Sequence, residues 1–125
     1  MDTRNKIIDN AGAAAMLAGV SPITLVTGYF DVLRAGHVEA LTAASGSGRT
    51  LVVAVCAHAD AILPLRARAE LVAALRMVDY VITADDRGIH TFVSSFKPAQ
   101  IVRLEDADRA RTRELKQHVQ GRQSC

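Results

Sequence analysis

Leu25-Val26-Thr27-Gly28-Tyr29-Phe30-Asp31-Val32-Leu33-Arg34-Ala35-Gly36-His37 passes from an apolar run through a glycine turn into an amphipathic stretch. Ile23-Thr24-Leu25-Val26 is β-branched or apolar throughout, whereas Val38, Leu41 and Thr42 with Ala44-Ser45 fall at helical spacing beyond His37. The stretch therefore predicts a strand over 23–27, a loop, and a helix over 36–44. A helix start carries amides without intrahelical acceptors and the positive end of the dipole, so it favours an anion. Glycines such as Gly28 and Gly36 let backbone and anion approach closely. The reading is a phosphate-binding strand–loop–helix.

Working outward, residues Thr3 to Ala18 predict an opening helix with Ile7, Ile8, Ala11, Ala14, Ala15 and Leu17-Ala18 as its apolar stripe. Asp9-Asn10 interrupts or caps it, and Gly19 with Ser21-Pro22 stops it. Ser45-Gly46-Ser47-Gly48 is a turn, and Thr50-Leu51-Val52-Val53-Ala54-Val55-Cys56 is a strand whose unbroken apolar character implies burial on both faces. A helix over 66–77, a strand over 80–83, a polar turn over 85–88, a short helix over 89–96 and a strand over 100–104 follow. Lys97-Pro98 ends that short helix. A charged helix is expected over about 106–120. Alternating strands and helices of this length imply an α/β fold, a single Rossmann-like doubly wound parallel sheet with helices on both faces.

The chain has 125 residues, of which 50% are hydrophobic and 22% charged, so the expectation is one domain over 1–125 rather than a disordered chain. The formal charge of +2 is mild, and the basic residues gather toward the C-terminus without interleaved aromatics, which argues against a nucleic-acid partner. The apolar stretch from Ala11 to Val20 is too short to cross a bilayer, so no membrane partner is expected. Two cysteines, Cys56 and Cys125, have neither metal-site nor disulfide-framework spacing, and a reducing, cytoplasmic location fits them.

Gly28-Tyr29-Phe30-Asp31-Val32-Leu33-Arg34-Ala35-Gly36-His37 resembles the G-x-F-D-x-x-H-x-G-H signature of the cytidylyltransferase-like nucleotidyltransferases. The resemblance extends along the chain. Lys6-Ile7, the Gly48-Arg49 turn before Leu51-Val52-Val53-Ala54-Val55, the Arg68-Ala69-Glu70-Leu71-Val72-Ala73-Ala74-Leu75 helix and Val78-Asp79-Tyr80-Val81 look like the adenylyltransferase domain of ADP-heptose synthases. Glycerol-3-phosphate cytidylyltransferases are a looser match.

The resemblance implies attack of a sugar- or polyol-phosphate on the α-phosphorus of ATP or CTP, with Mg2+ present and pyrophosphate leaving. It implies that His37 donates to the α-phosphate, that Gly28, Tyr29, Phe30 and Asp31 line the triphosphate, and that Gly36 lets the helix start approach it. It assigns no side chain as a metal ligand. Members often dimerise, so a homodimer is a further expectation. Asp31 is favoured as a group that fixes the loop by accepting backbone N–H bonds rather than as a general base.

Three departures stand out. Arg34 replaces the first signature histidine; it keeps a permanent charge and a fork suited to phosphate, but it competes with magnesium for space. Asp60-Ala61-Ile62-Leu63-Pro64-Leu65 is short and lacks the lysine that family members bring to the phosphates, leaving only Arg66 and Arg68 nearby. Arg111-Thr112-Arg113 is the nearest match to a hydroxyl-rich phosphate-binding turn, with one hydroxyl.

His58 falls where doubly wound sheets bind ligands, whereas His90 and His118 read as solvated and Ser94-Ser95 as a helix end. Two functions follow. The first is a nucleotidyltransferase that moves AMP, in preference to CMP, with His37 and Arg34 as its catalytic pair. The second is a catalytically degenerate nucleotide- or phosphate-binding module, or a dimeric interaction module, of the same fold.

Overall fold

The computed structural model describes residues 2–20, 22–46 and 48–105. A 3-10 turn at Thr3–Lys6 leads into β1 (Ile7–Ile8) and α1 (Asn10–Met16). Then come β2 (Ile23–Gly28), α2 (Ala35–Ala44), β3 (Thr50–Cys56), α3 (Leu65–Ala73), β4 (Tyr80–Ala84), α4 (Asp86–Phe96) and β5 (Gln100–Arg103). The strands form one sheet in the order β1-β4-β3-β2-β5, and every pairing is parallel. This is the doubly wound α/β fold that the alternation of elements predicts.

Period-two alternation divides β2, β3 and β4 between two cores. Leu25, Val52, Ala54, Cys56 and Ile82 pack with Ala13 and Leu17 of the α1 segment and with Ile89 and Phe92 of α4. Val26, Leu51, Val53, Val55 and Val81 pack with Leu41 of α2 and with Ala69, Val72 and Ala73 of α3. The chain steps from β2 to β3 to β4 in one direction under α2 and α3, then returns past β2 to β5 under α4. Crossovers of one hand must change face when they change direction, so the two covered faces follow from the strand order. Because both faces are covered, β2 and β3 are buried almost throughout, and their sequences read as continuous apolar runs.

The expected opening helix over 3–18 is corrected. Ile7 and Ile8 pair with Val81 and Ile82 at the sheet edge, and Asp9 ends that strand by capping α1, its carboxylate accepting from Gly12 N at 2.6 Å. The same device moves the start of α4 back to Asp86: Asp85, expected in a turn, accepts from Gly88 N at 2.8 Å. α3 stops at Ala73, because Leu75 N and Val78 N bond to carbonyls three residues earlier and tighten the chain into a turn before β4. Lys6 Nζ donates to the Leu75 carbonyl at 3.1 Å and ties the N-terminal turn to that turn. The expected helix over 106–120 lies outside the described residues. Among the described residues no helix is long and apolar enough to cross a membrane.

Candidate functional site

Parallel pairing brings the C-terminal ends of all the strands to one edge of the sheet, and the turn after β2 lies at its middle. The order 4-3-2-5 about β2 places the reversal of winding beside that strand, where the crevice of a doubly wound sheet opens. Gly28 pairs with Val55 as the last residue of β2. Tyr29, Phe30 and Asp31 follow, all buried.

Phe30 has φ +50, the left-handed region, where a bulky side chain is strained. That conformation turns the chain out of the strand while the ring stays in the core, 5.3 Å from the His37 ring. Asp31 is 2% exposed. Its two oxygens accept from Ile62 N at 2.7 Å and Leu63 N at 2.8 Å, so it fixes the turn against a second loop.

Arg34 is the extended residue before α2, and its carbonyl accepts from His37 N and Val38 N at 3.1 and 3.2 Å. Its own N–H donates to His37 Nδ1 at 3.1 Å. An acceptor at Nδ1 places the ring proton of neutral His37 on Nε2, the nitrogen turned away from the backbone. Among the described residues no side-chain oxygen caps the helix, since arginine has no acceptor to offer. A Cβ on Gly36 would meet nothing within 4 Å, so the start of α2 is open on that side. Arg34 is half-buried, and no described residue pairs with its guanidinium.

A second set of residues comes from the loop after β3. His58 stacks on Tyr29, with ring centroids 4.4 Å apart and an interplanar angle of 22°. Ala57, His58, Ala61–Leu65 and Arg68 line an open cavity of about 450 Å³. Arg68 is 2% exposed; its Nη1 donates to the carbonyls of Tyr29 at 2.8 Å and Cys56 at 2.9 Å, and its Nε to that of Leu63 at 3.0 Å. Arg66 pairs with Glu70. Of the two arginines expected near the phosphates, Arg68 is thus committed within the fold, whereas the Arg66–Glu70 pair is exposed.

On the opposite face of the sheet, Cys56 Sγ lies 3.8 Å from Glu105 Oε1. Burial, with the Glu105 charge beside it, pushes this thiol up to about 12.

The structure brings Gly28, Tyr29, Phe30, Asp31, Arg34, Gly36 and His37 into one turn and helix start. Arg111, Thr112 and Arg113 lie outside the described residues. His58 and Arg68 join the site from elsewhere in the chain. Arg68 shares the buried stripe of α3 with Ala69, Val72 and Ala73, where a lone cation demands acceptors. The described residues contain no group of three or more His, Cys, Asp or Glu side chains able to hold a metal ion, and both Asp31 oxygens are engaged.

The family model described as Cytidylyltransferase-like matches residues 25–123. Among curated relatives, the Bifunctional protein HldE of Bradyrhizobium diazoefficiens is 34% identical over 96 residues, covering 70% of this chain and 19% of that protein. HldE of Halorhodospira halophila is 30% identical over 113 residues, covering 80% and 24%. The chain thus spans about a fifth to a quarter of the length of these relatives. Of solved structures, the lipopolysaccharide core biosynthesis protein from Thermoplasma volcanium GSS1 superposes with a TM-score of 0.58 at 28% identity, covering 64% of this chain and 71% of that one.

Proposed function

Because the chain belongs to the cytidylyltransferase-like family, we propose that it is a nucleotidyltransferase. It moves a nucleoside monophosphate, AMP in preference to CMP, from a nucleoside triphosphate to a sugar- or polyol-phosphate. The observation that carries this reading is the start of α2. There His37 accepts from Arg34 N–H at Nδ1, beside a helix terminus that no described side-chain oxygen caps and an open Gly36. The preference for AMP rests on the resemblance of the sequence to the adenylyltransferase domain of ADP-heptose synthases.

In this reaction an acceptor phosphate oxygen attacks the α-phosphorus, the bond to the bridging oxygen breaks, and pyrophosphate leaves with that electron pair. The protein's work is to place two polyanions and to stabilise charge on the oxygens around phosphorus. His37 Nε2–H donates to a non-bridging α-phosphate oxygen, and the first amides of α2 add fixed donors along the same direction. Arg34 forks onto the departing phosphates. Magnesium would accompany the triphosphate as its counter-ion. A nucleotide substrate suits a cytoplasmic location.

One observation favours a second reading, a nucleotide-binding module without turnover. Arg68 is spent on three carbonyls and Arg66 lies in an exposed pair with Glu70, so Arg34 is the cation that the turn itself carries among the described residues.

Pyrophosphate release with ATP or CTP and a panel of sugar phosphates, beside calorimetry with nucleotide alone, separates the two. Turnover that falls about 10²–10³-fold in His37→Ala supports the transferase. Binding without turnover selects the module, and no nucleotide binding overturns both.

A further inference from the structure

Asp31 and Arg68 are each 2% exposed and opposite in charge, and they hold one another through backbone rather than by contact. Among the described residues Arg68 has no carboxylate within ion-pairing distance. Its guanidinium instead takes the carbonyls of Tyr29, Cys56 and Leu63, while the Asp31 carboxylate takes the amides of Ile62 and Leu63. The two peptide groups that flank Leu63 therefore bridge the pair, one by its N–H and the other by its C=O.

The same grip closes around Phe30. Its left-hand neighbour is fixed at the carbonyl by Arg68 and its right-hand neighbour at the carboxylate by Ile62 and Leu63. Phe30 itself has the strained left-handed backbone at φ +50, which persists only where the surroundings over-determine it. Its ring meets the imidazole of His37 at 5.3 Å.

We propose that Asp31 and Arg68 are positioning residues, which clamp the turn from both sides, hold Phe30 in its left-handed conformation, and through the Phe30 ring fix the direction of His37. This rests on the transferase reading for its kinetic consequence but not for its structural one. The shortened loop after β3 then has a defined use. Having no lysine for a phosphate, it serves as the fixed wall on which the turn is braced.

The test uses Arg68→Lys and Asp31→Asn in the full chain, with Arg66→Ala on the same helix as control. Imidazole ¹⁵N spectra report the tautomer of His37, and hydrogen exchange reports the amides of Ile62 and Leu63. The proposal expects wild type and Arg66→Ala to show the Nε2–H tautomer and slow exchange. Both clamp variants should shift the His37 signals and speed exchange at Ile62 and Leu63 together. In the wild type's transferase assay, kcat should fall at least tenfold in Arg68→Lys, with KM for the nucleotide within threefold.

Folded Arg68→Lys and Asp31→Asn proteins with unchanged His37 spectra overturn the proposal, whatever their activity. If the wild type neither binds nor turns over nucleotide, the transferase reading fails while the spectra still decide the clamp. If Arg68→Lys does not fold, Asp31→Asn alone carries the spectroscopic test.

Discussion

Three helices of this fold begin with a glycine in the first turn, and they begin differently. α1 and α4 start D-x-x-G, with Asp9 and Asp85 accepting from Gly12 N and Gly88 N, and a side chain on either glycine would crowd the cap. A Cβ on Gly12 would lie 3.0 Å from Asp9 Oδ1, and one on Gly88 would lie 3.0 Å from the Ala84 Cβ and 3.3 Å from Asp85 Oδ1. At α2 the cap residue is Arg34, and Gly36 faces open space. Two of these helices carry an aspartate cap that the glycine's lack of a side chain makes room for; in the third the cap is missing and the glycine is not crowded.

The strongest way to break this contrast is to give α2 the cap of the other two. Arg34→Asp should stabilise the free protein by about 1 kcal/mol, the worth of an N-cap. If the proposed anion site is right, it should also weaken nucleotide affinity by about a hundredfold or more, since a carboxylate then holds the amides proposed for phosphate. Thermal melts and calorimetry read the two effects, which must move in opposite directions. A variant that melts higher and still binds nucleotide as wild type does would show that the start of α2 is not the anion site.

The other face of the same sheet edge sharpens the contrast, for it disfavours negative charge. Cys56 has its thiol pushed from 9.0 to about 12, first by burial and then by Glu105. Below pH 9 the thiol is neutral in both folded and unfolded chains. Between pH 9 and 12 the unfolded chain loses the proton and the folded one keeps it, so stability falls by about 1 kcal/mol per pH unit. Denaturant midpoints of wild type should therefore drop more steeply over that window than those of Cys56→Ala. Parallel slopes would show that the thiol is not shielded.

Next in size are the caps themselves. Asp9→Ala and Asp85→Ala should each cost about 1 kcal/mol in urea unfolding while leaving nucleotide affinity unchanged. Loss of binding in either would mean that those termini belong to the site. The smallest effect is at the glycines. Gly36→Ala should raise stability by up to about 1 kcal/mol and lower nucleotide affinity, whereas Gly88→Ala should lower stability alone.

Much of this was legible in the amino-acid order. Residues 23–28 and 50–56 could be read as strands because burial on both faces leaves an unbroken apolar run, and the turn and α2 because their chemistry lies in one contiguous stretch. Ile7-Ile8 was not legible. A two-residue edge strand has no period to detect, and the pairing that makes it a strand comes from Val81 and Ile82, far along the chain. The starts of α1 and α4 were blurred for a related reason, since an aspartate reads equally as a turn residue or as a cap until its acceptor bond is seen. In the site, the role of Asp31 as a fixer of the turn was visible in outline, but its partners Ile62 and Leu63 were not, because nothing local in 60–65 announces two donated amides. Arg68 was legible only as part of a family-like helix, and its burial follows from which face of α3 meets the sheet.

The late return of the chain to β5 has a consequence for how the protein is made. β2 lies in the sheet between β3 and β5, yet β5 is Gln100–Arg103, almost at the end of the described chain. Throughout translation up to that point, one edge of the most buried strand keeps its backbone groups unpaired, a ready template for another chain. β5 is made after the other four strands, so the exposed edge of β2 stays open to another chain until those four residues dock.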